Sequence, residues 1–289
     1  MRPLGVGDVL DGAITIFRRC FKVLAVIVLL VQGPYQLASA LVLDRFLPEL
    51  GDEVAFERFF ENTVPVELLA RLLLVGGSAA IVGLLVHVLA GGAVAAAIRD
   101  FDHGGRVRAG DALRASFAVS GATLGASVLL LAGGMAVAFV LIVALTVLGF
   151  AVVPLAVVLG ILAVPVLLGA ALALGYLVIP IAVLEETGPV QTLGRAWWVL
   201  RRRFWWVLGA TSLALLLVAA LSFGFGIAMM LVSLVAGPAA AVVEAVFGTL
   251  SAMVSVPLTI AAAQLIHHDA RVRAEGYDLR VRAQHGGGF

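Results

Sequence analysis

Two ionisable residues stand inside long apolar runs, and any chemistry at membrane depth starts from them. Glu244 lies near the start of the run 239–266, and His87 lies within the run 72–98. A carboxylate among apolar residues is costly unless protonated, paired or hydrated, which makes it a functional candidate. An imidazole titrates near neutrality and can relay protons. Together the two would form an intramembrane polar site suited to proton-coupled transport. Each also has a plainer role. Glu244 can lie shallow and reach water or Arg71, and His87 can join two helices by a hydrogen bond.

A second titratable group is His267, His268 and Asp269, with Asp100, Asp102 and His103 expected on the same side. A metal site needs three or four converging ligands. A solvated helix end is the expectation here, with no metal and no cofactor. The chain has no H-E-x-x-H, P-loop or G-x-S-x-G pattern, so no enzyme is expected. Cys20 is the only cysteine, which excludes an internal disulfide and a cysteine metal cluster.

The elements that must position these residues follow from composition. Of 289 residues, 62% are hydrophobic and 13% charged, and mean hydropathy is +1.13. Soluble domains carry about 25% charged residues, and one core of this size cannot hide so much apolar surface. The expected fold is all-α: a polytopic membrane protein. A bilayer core of ~30 Å takes ~20 apolar residues at ~1.5 Å each. Six stretches qualify, at about 24–43, 72–98, 124–148, 154–184, 204–235 and 239–266. They form a single membrane domain over 1–283, and 284–289 is expected as a flexible tail. Gly149 and Pro154 separate the third and fourth spans, and Gly237-Pro238 separates the fifth and sixth. Gly33, Pro34, Pro180 and Pro257 are expected to break helices inside spans.

Charge placement orients the spans. Of 19 basic residues, 16 fall in the segments 1–23, 99–120, 185–204 and 267–289, which alternate with three connections poor in basic residues. By the positive-inside rule both termini are cytoplasmic, in a bacterial plasma membrane. Arg18, Arg19 and Lys22, an apolar run and Ala38-Ser39-Ala40 also fit a cleavable secretory signal. The basic region is long and the apolar run continues through Leu43, so an uncleaved first span is expected.

The same segments suggest an internal repeat: three hairpins, each preceded by an interfacial amphipathic helix. In the first, Leu10, Ile14, Phe17 and Phe21 share a face opposite Arg18, Arg19 and Lys22. The middle copy, from Asp111 to Gly121, is weaker. In the third, Leu193, Trp197 and Leu200 lie opposite Arg195 and Arg202. All four tryptophans, Trp197, Trp198, Trp205 and Trp206, fall there, beside Arg201 and Arg203. Indole favours the membrane interface, and arginine favours anionic headgroups. The expected partners are therefore membrane lipids with anionic headgroups on the cytoplasmic side. A net charge of +1 suggests no nucleic acid. In the loop 44–70, Glu53, Glu57 and Glu61 with Phe56, Phe59 and Phe60 predict a short amphipathic helix on the outer surface.

Three short segments carry a family resemblance. Leu4-Gly5-Val6-Gly7-Asp8-Val9-Leu10-Asp11-Gly12-Ala13 with Phe17-Arg18-Arg19 resembles the opening of the glycerophosphoryl diester phosphodiesterase membrane-domain family. The stretch from Pro180 to Glu185, Gly188-Pro189-Val190, Arg195-Ala196-Trp197 and Arg203-Phe204-Trp205 is similar to its second landmark. Asp269 to Leu279 resembles its closing motif, departing at His267-His268 and Ala270. The resemblance implies a bacterial polytopic membrane protein and transfers no catalytic residue. A fused phosphodiesterase domain, found in some members, does not fit this chain: its longest soluble stretch is 44–70, against ~250 residues for a catalytic barrel.

Two functions remain open. The first is a non-enzymatic membrane scaffold or accessory subunit, handling lipid or holding an envelope partner. The alternative is a permease or exporter of a small or lipidic substrate, using Glu244 and His87.

Overall fold

The computed structural model describes residues 4–46, 66–105 and 107–275. The helix expected across Glu53–Glu61 and the closing motif beyond Glu275 lie outside the described residues. Those residues are almost wholly helical, with no strand among them. Seven helices follow in chain order: α1 (Val6–Phe46), α2 (Val66–Asp102, with a π-helical turn at Leu72–Gly76), α3 (Ala109–Ala151) and α4 (Val153–Glu185). After these come α5 (Pro189–Arg202), α6 (Phe204–Ala236) and α7 (Ala240–Glu275).

Five helices, α2, α3, α4, α6 and α7, are long and apolar enough to cross a bilayer. By length and composition, this is a multi-pass helical membrane protein. The fifth and sixth expected spans match α6 and α7, and a short 3-10 turn at Gly237–Ala239 joins them. Gly237 sits there at φ +52, a conformation that favours glycine. Val152 is the one non-helical residue between α3 and α4, and Pro154 follows in the first turn of α4. α1, which carries the expected first span, is not among the five.

Several sequence expectations are corrected. The amphipathic and spanning parts of the first copy are one continuous helix, α1, and those of the second copy are one continuous helix, α3. Only the third copy has a separate short helix, α5, which ends where Arg203 leaves helical geometry at φ −143, ψ 49. Neither Lys22-Val23-Leu24 nor the stretch following Ser120 contains a proline that would stop a helix. The expected breaks at Gly33, Pro34, Pro180 and Pro257 fall inside unbroken helices. A proline removes one backbone bond and crowds one carbonyl, and in a long packed span the neighbouring turns and helices hold the rest.

The packed core lies toward one end of the bundle, here called the basic end. There Ala93–Ile98 of α2, Leu177–Val183 of α4 and Ile260–Ile266 of α7 meet Leu24, Ile27 and Val28 of α1. Gly91-Gly92 mark a close approach of α2 to its neighbours. A Cβ on Gly92 would stand 2.5 Å from the Ser116 Oγ of α3. Buried polar bonds lock the same layer. Ser116 Oγ donates to the Leu89 carbonyl at 2.8 Å, and Gln264 Nε2 donates to the Ala95 carbonyl at 2.8 Å. Such bonds are worth about 1 kcal/mol each between helices. α1 packs most extensively against α7, from the other end of the chain.

Candidate functional site

At the basic end, residues of all four basic segments are joined by ion pairs and hydrogen bonds. Asp269, only 3% exposed, accepts from Arg203 Nη1 at 3.2 Å and from the Leu4 backbone N–H at 3.0 Å. One turn of α1 is fixed beside it, because the Gly5 N–H bonds Asp8 Oδ2 at 2.8 Å, as an acidic residue in the first turn of a helix does. Glu185, one residue past the expected fourth span, takes Arg195 Nε and His267 Nε2, each at 3.0 Å. Burial alone would raise the Glu185 carboxyl. The hydrogen bonds and charges of His267 and Arg195 outweigh it and hold the group at about 2. Arg99 Nη1 donates to the Val183 carbonyl at 3.3 Å and lies 3.5 Å from Glu186 Oε1. This cation serves the end of α4, where Glu186 sits at φ 50.

The solvated helix end expected at 267–269 is therefore corrected for two of its residues. His267 is 1% exposed, Asp269 is buried, and only His268 is exposed. Burial follows because their partners arrive from the start of α1, the end of α4, and the α5–α6 junction. Among the described residues no group of three or more potential ligands converges on a metal position.

The expected lipid-interface residues divide. Arg18, Arg19, Lys22, Arg201, Arg202, Trp197 and Trp205 are exposed. Arg195 and Arg203 are instead drawn into the ion pairs. Trp198 lies under the Arg195 and Arg202 guanidinium groups at 4.5 and 5.0 Å, and Trp206 lies under Arg203 at 4.8 Å.

Beyond this layer the six long helices, α1 to α4, α6 and α7, surround a central cavity of about 970 Å3. Its walls are mainly aliphatic. Polar groups punctuate them: Gln32, Tyr35 and Gln36 from α1, His87 from α2, Tyr176 from α4, and Ser255 and Thr259 from α7. Tyr35 donates to the Ala79 carbonyl at 3.0 Å and so ties α1 to α2 at the rim. Tyr176 is 7% exposed, and its hydroxyl lies beside the Thr259 side chain without a well-formed hydrogen bond. A buried phenol left so costs about 1–3 kcal/mol, and it stands on the wall of a space that can hold an acceptor.

The two candidates read from sequence separate here. His87 lines the cavity. Glu244 does not; it is exposed near the start of α7. The expected pair is thus not brought together, because Glu244 sits on the solvent- or lipid-facing side of its helix. Sequence reasoning passed over Tyr176, Ser255 and Thr259. Their signal was available: Gln32 and Gln36, and Ser255 and Thr259, are each four residues apart, which puts two polar groups on one helical face.

A second groove of about 760 Å3 runs between α3 and α4, with Leu193 and Trp197 of α5 at its foot. Leu130, Gly134, Ala138 and Ala171 line both spaces.

These features define a class: an all-helical, multi-pass membrane protein with a polar-studded cavity above an ion-paired end. Comparison with family models, characterised proteins and solved structures finds no match.

Proposed function

We propose that this chain is a non-enzymatic, lipid-handling protein of the bacterial plasma membrane that holds an amphiphilic molecule in its central cavity. The observation that carries the reading is the buried Tyr176 hydroxyl, with only the Thr259 side chain beside it and no well-formed hydrogen bond, on the wall of a 970 Å3 space that is otherwise largely aliphatic. Small-molecule sites have this character: about 300–1,000 Å3, apolar walls and a few placed polar groups. Apolar walls take a hydrocarbon body. Tyr176 offers a donor to a carbonyl or phosphate oxygen, and Gln32, Gln36 and His87 offer further donors.

In this reading α1 is a sixth span. Its 41 residues extend roughly 60 Å at ~1.5 Å per residue, twice the hydrocarbon thickness. Its polar residues Gln32, Tyr35 and Gln36 face the cavity rather than lipid, which removes their cost of insertion. The basic end is cytoplasmic, and the helices form three hairpins. The resemblance to the glycerophosphoryl diester phosphodiesterase membrane-domain family supports this placement, since two of its landmarks form the ion-paired layer with the Asp269 end of the third.

A permease or exporter is the second reading, favoured by the contribution of all six long helices to the cavity wall. It keeps His87 and leaves Glu244 outside the pathway.

Native mass spectrometry of protein extracted gently from its own membranes tests the proposal. Wild type is expected to retain a bound amphiphile that Ser255→Phe, which fills the cavity, releases. Clean protein without bound mass, or equal retention by the variant, overturns it. Uptake or efflux of that amphiphile in proteoliposomes, lost on His87→Leu, would establish the second reading instead.

A further inference from the structure

The α3–α4 groove and the central cavity share part of one wall. Leu130, Gly134 and Ala138 follow one another at every fourth residue along α3, and with Ala171 of α4 they face both volumes. Gly134, Ala138 and Ala171 make that shared wall thin, and a Cβ at Gly134 would meet nothing within 4 Å. The groove runs along α3 from Leu129 to Ile142, roughly 20 Å at ~1.5 Å per residue. One leaflet of hydrocarbon is about 15 Å deep, half of the ~30 Å core. Its lining is almost free of polar atoms until Trp197 at the foot, which is half exposed. Arg201, one turn further along α5, is exposed. An apolar trench of leaflet depth, footed by an indole and then a cation, has the chemical order of a phospholipid from chain to headgroup.

We infer that the groove is a lateral entrance: an anionic phospholipid lies in it with its phosphate at Arg201 and passes an acyl chain between α3 and α4 into the cavity. This rests on the cavity reading above and adds the ligand class and the route. The route reaches the cavity through the bilayer, so the ion-paired end stays closed throughout.

Two adjacent glycines separate entrance from interior. Gly133 lines the groove only, and Gly134 lines both spaces. A Cβ at either position meets nothing within 4 Å, so a larger residue enters open space. The probe is a phosphatidylglycerol with a diazirine at the end of one acyl chain, in phosphatidylcholine vesicles holding the full chain. Irradiation and peptide mapping read which residues the chain tip reaches. In wild type, labelling is expected at Tyr35, His87 or Tyr176, none of which lines the groove. Gly133→Phe and Gly134→Phe are each expected to cut the initial rate of that labelling severalfold with unchanged melting temperature. Arg201→Gln is expected to reduce it for phosphatidylglycerol and not for the same probe built on phosphatidylcholine. Undiminished interior labelling in Gly133→Phe overturns the entrance and leaves the cavity reading standing. Groove labelling without any interior labelling in wild type overturns both.

Discussion

At the basic end, Ala93–Ile98, Leu177–Val183 and, apart from half-buried Leu265, Ile260–Ile266 are buried, whereas at the far end α3, α4 and α6 turn large apolar side chains outward. Phe150 is 89% exposed and Val235 is 85% exposed. In water such surface would be driven inward. In lipid nothing drives it, because the hydrocarbon is as apolar as the side chain. The two ends therefore hold together by different means. The basic end uses close-packed small residues, interhelical hydrogen bonds and ion pairs, all specific. The far end uses length and apolarity, which fit the bilayer without fixing neighbours, and leaves room for a cavity and a groove.

Variants can break or sharpen this comparison, each read as thermal unfolding in detergent. Arg203→Ala removes a cation from the buried Asp269 and is expected to cost about 3 kcal/mol, the low side for a broken buried pair because Leu4 still donates. Gly92→Val drives a methyl group into Ser116 and is expected to cost about 2 kcal/mol by overpacking. Gln264→Leu removes one buried interhelical bond, for about 1 kcal/mol. At the far end, Leu234→Ala is expected to stay within about 0.5 kcal/mol, since the side chain is exposed. A loss there equal to that of Gly92→Val would erase the distinction between the ends.

Acid adds a condition on the same layer. The Glu185 carboxyl is lowered in the folded protein from an ordinary 4.5 to about 2. An unfolded chain takes up that proton first, so the contribution is complete above 4.5 and is lost as pH falls toward 2. Glu185→Gln should flatten the decline in melting temperature across that window. An unchanged acid limb would mean that His267 and Arg195 hold this corner without the charge.

Much of this was legible in the residues. Gly237-Pro238 and Pro154 marked helix boundaries because backbone geometry there is local. The arginine bias grouped segments 1–23, 99–120, 185–204 and 267–289, and contacts among Leu4, Arg99, Glu185, Glu186, Arg195, Arg203, His267 and Asp269 now join them at one end. What periodicity missed were the inward partners. Ile14 and Phe21, expected on an apolar face, are exposed, while Val9, Ala13 and Cys20 are buried. The face opposite Arg18, Arg19 and Lys22 reads as the inward one, but beside lipid an apolar face need not be the packed one. The expected breaks at Pro34, Pro180 and Pro257 failed for a related reason: a local defect does not reveal what surrounds it.

Sequence alone determined that this chain is helical, that its long helices suit lipid, and which segments share an end. Those properties depend on composition and chain-local spacing. Tertiary structure decided that Asp269 and His267 are buried, that Glu244 and His87 lie on different surfaces, and that Tyr176 lines a cavity among six helices. Each depends on residues brought from distant parts of the chain, and an apolar helix facing lipid or protein looks the same in one dimension.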